Sequence, residues 1–429
     1  SRIYVDDGAT GANDGSSWAN AYTSLQDALA AWRALGNPEN VPVWVAAGTY
    51  YPDEGSAVTD NTGATIGSPD NDRTATFYLT EGVALYGGFD GTESSLSGRD
   101  PVANATVLSG DTDKNDGFGI GGGITNNESN AYHVLYIDGT TGTPVTGATV
   151  LSGFTIMGGN AGTSMSGGGL YCDGEGSGNA CNPSLDTLVF SSNAAKGGGA
   201  LYNNGKNGGD ASPALVHVEF TNNTASFGGG LYNHGANSGN ASPALTNVSF
   251  VNNSASSNGG AIQNQTNSSN TVEPVLTNVT FANNSAGSNG GAIMSNNSSP
   301  TLTNVILWGN TSGSGSQIHQ GGGTTTISYS IVESGLAGGI SGGSVTDGGN
   351  NLSSDPLFSD AASGDLSLSA CSPAIDTGDS DAVNQSEDLA GNDRFIDDSG
   401  LSDAGNQGSE NAVVDMGAYE HQGTSAGCS

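Results

Sequence analysis

One unit of 30 or 31 residues recurs almost without gaps from about residue 167 to 312. It opens on paired glycines, as in Gly198-Gly199-Ala200-Leu201, Gly228-Gly229-Gly230-Leu231 and Gly259-Gly260-Ala261-Ile262. A Pro-x-Leu step follows, at Leu185, Leu215, Leu245, Leu276 and Leu302. Five positions on stand Phe190, Phe220, Phe250, Phe281 and Leu307, and three further Asn193, Asn223, Asn253, Asn284 and Asn310. The last step shortens to 26 residues. A fixed period of this length means one supersecondary unit stacked on itself.

The content of the unit says which one. Its apolar runs are two to four residues long, and the Gly, Asn and Ser between them forbid a helix. In Val248-Ser249-Phe250 the alternation is that of a strand with Val and Phe inward. Leu245 has the opposite parity, so the chain must bend near Thr246-Asn247 to bring it inside as well. Short strands joined by bends at constant period predict an all-β fold, a parallel β-helix or solenoid whose coils stack at ~4.8 Å. Equivalent residues then form columns. The phenylalanines become a core stack ending on Leu307, and the asparagines become a ladder of side-chain amides passing hydrogen bonds from coil to coil. About ten coils give a rod of ~50 Å.

The ends differ from the middle. Residues 1–75 read as an N-terminal cap with the first coils, 76–165 as irregular coils with polar insertions, 166–345 as the regular repeats, and 346–429 as an acidic C-terminal cap. Ser24 to Leu35 predicts a capping helix, with Leu25, Ala28, Leu29, Trp32 and Leu35 on one face and Asp27 completing a capping box with Ser24. Gly36 and Pro38 stop it. Such a cap keeps the open end of the core from water. The chain starts directly on a strand-like Ile3-Tyr4-Val5, as expected once a secretion signal has been removed.

Several motifs are familiar. The Gly-Gly-Ala-Ile and Phe-x-x-Asn pairs resemble the repeats of polymorphic outer-membrane proteins, bacterial surface proteins, and the resemblance implies a right-handed parallel β-helix. Ile3-Tyr4-Val5-Asp6, Gly15-Ser16-Ser17-Trp18, Leu85-Tyr86-Gly87-Gly88-Phe89 and the closing Gly417-Ala418-Tyr419-Glu420 resemble bacterial extracellular proteins with a choice-of-anchor C-terminal domain. That resemblance implies export, an extracellular or cell-surface location, and no particular activity. The chain departs from the pattern in showing no sorting tail after Glu420, which is expected if a tail was cleaved or if copies hold one another at the surface.

Charge narrows the partners. With 42 acidic against 8 basic residues the formal net charge is -34. No basic stripe exists for nucleic acid, and an anionic membrane surface or a polyuronate would be repelled unless a divalent cation intervened. No apolar run approaches the ~20 residues of a transmembrane helix. Only six acidic residues fall between 165 and 310, so the charge sits at the ends. Asp111, Asp113 and Asn115 resemble a calcium loop whose glycine comes one place late and whose twelfth position, Gly122, is not Glu. A second group, Asp376, Asp379, Asp381, Asp388, Asp393, Asp397 and Asp398, could gather as ligands on folding. Both groups read either as Ca²⁺ sites or as solubilising charge; no other cofactor is expected.

Four cysteines allow three connectivities. Cys172 and Cys181 flank a Gly-rich insertion that a disulfide would close, leaving Cys371 and Cys428 to tie the tail to its cap. In the regular coils no two carboxylates occupy equivalent positions, and Glu219 with His217 is the nearest approach to an acid–base pair. His217 stands in the column of Thr187, Asn247, Asn278 and Asn304, so it reads as a turn residue and the chain as no enzyme. Tyr171, Tyr202 and Tyr232 each follow an inward Leu and should face outward as a column, either a stacking surface for sugars or, the favoured reading, a stabilising stack. The expectation is a structural or adhesive surface rod that associates with copies of itself into a fibre, sheath or layer. Glycan binding by the tyrosines is the alternative, and a polysaccharide lyase or hydrolase a distant third.

Overall fold

The computed structural model describes residues 2–38, 40–118, 123–267, 272–409 and 412–425. Twenty-two strands join in one sheet in which neighbours run parallel and equivalent residues pair, Leu215 with Leu245 and Phe220 with Phe250. The chain is a parallel β-solenoid. A regular coil has three strands, for example Leu201–Asn204, Ala214–Thr221 and Thr224–Phe227.

Three left-handed turns make the coil close. The bend expected near Asn247 is there: Thr187, His217, Asn247, Asn278 and Asn304 all have φ between 51° and 56°, each between an inward Leu and an inward Val or Leu. Ser192, Asn222, Asn252 and Asn283 form the second corner, at φ 55–58°. Asn occupies most of these places because its short polar side chain tolerates the left-handed region. Glycine takes the third corner, with Gly198, Gly228, Gly259 and Gly290 at φ 60–65°. The glycine after it is needed for space: a Cβ on Gly229 would lie 2.4 Å from the Gly260 carbonyl oxygen of the next coil.

Inside, Phe190, Phe220, Phe250 and Phe281 stack with centroids 4.6–5.1 Å apart and rings within 5° of parallel, and Leu307 pairs with Phe281. Beside them runs the asparagine ladder. Oδ1 of Asn253 accepts from both the backbone N–H and the Nδ2 of Asn223, at 3.1 and 2.9 Å. Its own Nδ2 donates to the Phe220 carbonyl and to Asn284 Oδ1. Asn310 ends the ladder by donating to Gln317 Oε1 at 2.7 Å. A second buried ladder, Asn203 to Asn233 to Asn264 to Ser295, runs up another face. Its signal was the third residue of each Leu/Ile-x-Asn step, which shares the inward parity of the Leu.

Helix Leu25–Ala34 covers the first coils, with Leu25, Ala28, Leu29 and Trp32 in the main core. Two details differ from expectation. Leu35 is the C-cap and 62 % exposed. Ser24 Oγ does accept from the Asp27 amide, but the Asp27 carboxylate, shorter than Glu, turns away to Ser56 and Ala57. At this end the outer edge of strand Ile3–Val5 is also covered, because Tyr4 N–H donates to the Gly15 carbonyl and Tyr22 N–H to the Tyr4 carbonyl.

The acidic C-terminal segment begins on the end of the rod, where Leu352 pairs with Ile331, but most of it does not cap that end. It lies along the flank of the rod, on the first corner column. Corner asparagines turn their amides outward, and the segment satisfies them: Asn304 donates to the Asp379 carbonyl, Asn278 to Asp415, and Asn247 to Glu387. Arg394, fully buried, donates to Asn247 Oδ1 at 2.8 Å and pairs with buried Glu420 at 3.2 Å. The last coil is left with strand Ile340–Asp347, which pairs with Ile318–Ser328 on one side and with no other described strand.

Replacing Asn253 by Ala strips a donor or acceptor partner from four neighbouring groups in a dry interior, so the unfolding free energy should fall by roughly 3 kcal/mol. Asn253→Asp should be worse, since it sets a buried charge against Asn284 Oδ1. Urea unfolding followed by circular dichroism tests the order; equal stability of Asn253→Ala and wild type would refute a ladder that carries energy.

Candidate functional sites

The tyrosine column exists and is longer than expected. Tyr78, Tyr136, Tyr171, Tyr202 and Tyr232 stack over five successive coils, with the nearest rings 5.0 Å apart. It is not an open face. Tyr202 is only 4 % exposed and Tyr171 and Tyr232 are half-buried; Tyr136 and Tyr171 lie face to face, while Tyr202 is tilted on Tyr171 and edge-on to Tyr232. The hydroxyls are tied down too: Tyr136 donates to Asp173 at 2.6 Å, Tyr171 accepts from Asn204 at 2.9 Å, and Tyr202 meets His234 Nδ1 at 2.8 Å. Burial, helped by Lys206 and opposed by Glu175, pulls the His234 imidazole down to about 4. It is therefore neutral near pH 7 and shares one hydrogen bond with the Tyr202 hydroxyl.

A cleft of about 110 Å³ opens where the first corner column meets the flanking segment. Its walls are Pro101 and Val102 on one side and Leu389 on the other, over Phe154 and Leu188, with His217 and Glu219 at the rim. Sequence reasoning found the last two but not the walls, which come from loops more than a hundred residues away. A polar chain runs beneath. Arg99 donates to Ser152 Oγ at 2.7 Å, Ser152 to Asp186 at 3.0 Å, and Asp186 stands 3.5 Å from His217 Nδ1. Burial alone raises the Glu219 carboxyl above its usual range. Burial also works on Asp186, but hydrogen bonds from His217 and Ser152 outweigh it and hold that carboxyl low. His217 is committed to Asp186 on one nitrogen and, on the other, to Asn247 and the Glu387 carbonyl. It braces the corner, as its place in the turn column implies.

In the suspected calcium loop neighbouring donors engage the carboxylates, although Asp113 Oδ1 has no partner among the described residues. Both Asp111 oxygens accept amides of their own loop, Asn115 and Asp116, while Asp113 takes the Asn115 side chain and Ser129. In the second group Asp379 and Asp381 share the Asn406 amide, and Asp388 accepts from Ala390 and Asn392. Of the expected group Asp376 and Asp397 lie in one carboxylate cluster, together with Asp403. Cys172 and Cys181 form a disulfide with Cα atoms 5.7 Å apart, buried in the main core, and Cys172 occupies the column continued by Asn203. Cys371 is disulfide-bonded as well; Cys428, its expected partner, lies outside the described residues.

Columns, ladders and repeated corners define a parallel β-solenoid of near-identical coils. Its repeats are similar to a known kind. Residues 187–204, 217–234, 247–265 and 278–296 match the family model of the Chlamydia polymorphic membrane protein repeat. Each match starts on a first-corner residue, Thr187, His217, Asn247 or Asn278, and runs through the ladder asparagine to the end of the tyrosine-face strand. No curated protein and no solved structure matches the chain.

Two outcomes are expected here. Tyr202→Ala should lower unfolding free energy by about 3 kcal/mol, as truncation of a buried ring does, whereas Tyr202→Phe should cost about 1 kcal/mol for the lost hydrogen bond. The depressed His234 means that the unfolded imidazole takes up a proton before the folded one, so wild type should lose stability as pH falls from about 6.5 to 4. His234→Asn should lack that component, and a difference between the two proteins that stays constant from about pH 7.5 to 4.5 would refute it.

Proposed function

We propose that this chain is an exported bacterial cell-surface or extracellular protein of structural or adhesive type, whose solenoid serves as a stiff rod. The match of its regular coils to the polymorphic membrane protein repeat carries the reading. A buried disulfide suits an oxidising compartment. No helix among the described residues is long and apolar enough to cross a membrane. Of the six carboxylates of the regular coils only Asp173 and Glu175 meet, on the Asn204 amide, and hydrogen bonds from Tyr136 and Asn207 occupy them further, which favours a structural role for the pair.

The rod associates with copies of itself. What supports this is the asymmetry of its ends: the first coil has its edge covered, while strand Ile340–Asp347 presents an unpaired edge rich in Gly, Ser and Thr. Exposed edges are templates for another strand. A single open edge pairs isologously and closes at two copies, so a fibre, sheath or layer requires a further contact along the flank.

Sedimentation velocity over a concentration series, with negative-stain imaging of the same samples, tests the reading. Wild type should form end-joined pairs or longer assemblies. Ser344→Glu with Thr346→Glu, which sets like charges against each other across the joint, should return it to single rods. Single rods of wild type at every concentration would remove the self-association.

A further inference from the structure

The flanking segment gathers three carboxylates that none of its contacts with the solenoid requires. One oxygen from each of Asp376, Asp397 and Asp403 lies within 4.8 Å of the other two. Asp376 is wholly buried, and the other two are exposed. The backbone imposes this convergence. Asp376 sits in the left-handed region at φ 51°, and its carbonyl accepts the amides of Ala404 and Gly405 at 2.9 and 3.1 Å, which holds Asp403 beside it. Its N–H donates to Asp415 Oδ1 at 2.9 Å.

The side chain of Asp376 is incompletely satisfied. Among the described residues Oδ1 takes only the Asp398 amide, at 3.5 Å, and Oδ2 is shielded from solvent with no hydrogen-bond donor. No ion pair among the described residues includes Asp376, Asp397 or Asp403. A buried carboxylate oxygen without a partner is costly, and two further carboxylates beside it add repulsion. A bound cation would answer both.

We propose that Asp376, Asp397 and Asp403 form a binding site for one calcium ion. The donors are all hard oxygens, which suits Ca²⁺ and disfavours zinc and copper. Three oxygens within 4.8 Å of one another share a centre no more than about 2.8 Å from each, so small side-chain movements bring all three to the ~2.3–2.6 Å Ca–O distance of one ion. Magnesium asks for a tighter octahedron at ~2.1 Å and surrenders water reluctantly. The two exposed carboxylates leave one side of the ion open to the waters that complete its shell. Bound there, calcium would clip the exposed loop around 397–403 to the turn at Asp376. Asp398, between them, accepts the Ser425 amide through both oxygens, so the ion would also brace the tail of the segment that grips the corner column.

Isothermal titration of the EDTA-stripped full chain with calcium chloride tests the site, and thermal melts report its effect. One ion should bind with a Kd of about 1 mM or tighter and raise the melting temperature. Asp397→Asn and Asp403→Asn change exposed residues and should leave the circular dichroism spectrum intact while weakening binding at least about tenfold. Asp360→Asn, an exposed acid elsewhere in the same segment, should bind as wild type does. Absence of binding up to about 10 mM calcium, beyond the extracellular range, would overturn the proposal. So would binding that the Asp397 and Asp403 variants leave unchanged, or a thermal shift that magnesium reproduces in those variants, which is general screening of charge.

Discussion

The strands of a regular coil find their backbone partners in the coils on either side, so each coil can exist only in register with its neighbours. That requirement explains why three left-handed corners recur at fixed places: a coil that turned differently would leave a strand's N–H and C=O groups unpaired. Asparagine and glycine are the residues that turn so cheaply, and the glycine after the third corner has no room for a side chain. The ladders follow from the same stacking. An amide that both donates and accepts can repeat indefinitely along a column, whereas a carboxylate cannot, and acids are accordingly sparse in the regular coils.

Stacking also decides what the surfaces can do. A column of tyrosines one coil apart has its rings packed against its own members, so it acts as a stay for the sheet and its hydroxyls anchor the polar column beside it. The first corner column is different. Its asparagines lie within a strand that turns, and their amides are left pointing outward. The C-terminal segment exists as a flank rather than a cap because those amides, with buried Arg394 held between Asn247 and Glu420, give it a continuous rail of hydrogen bonds. The polar chain from Arg99 through Asp186 to His217 extends that rail to a loop of the N-terminal half. The rod is thereby braced along one side, and its last strand is left uncovered.

Much of this was legible beforehand. The period, the inward parity of Leu245 against Phe250 and the recurring Asn three places on were enough to derive the coil, the bend at Asn247, the aromatic core and the ladder. The resemblance drawn from the same residues pointed to the repeat family that the comparison found. What misled was anything that depends on partners distant in the chain. Asp27 looked like half of a capping box until the 55–57 loop claimed it. Asp111 and Asp113 looked like calcium ligands; in the folded chain the loop amides of Asn115 and Asp116 take both Asp111 oxygens, while Asp113 uses one oxygen for Asn115 and Ser129. Asp376 was suspected in the company of six other aspartates; of these Asp397 does stand beside it, and the turn at 404–405 adds Asp403, which no spacing suggested.

The sequence by itself determined the solenoid, because a repeat makes the local pattern and the stacking pattern the same information: what one coil needs, the next supplies at a constant offset. Only the tertiary structure decided where the non-repeating tail lies, which faces remain open and which carboxylates meet. Those outcomes rest on single contacts, Arg394 with Asn247 or the Asp376 carbonyl with Ala404, that no periodicity announces and that the folded chain alone brings within hydrogen-bonding distance.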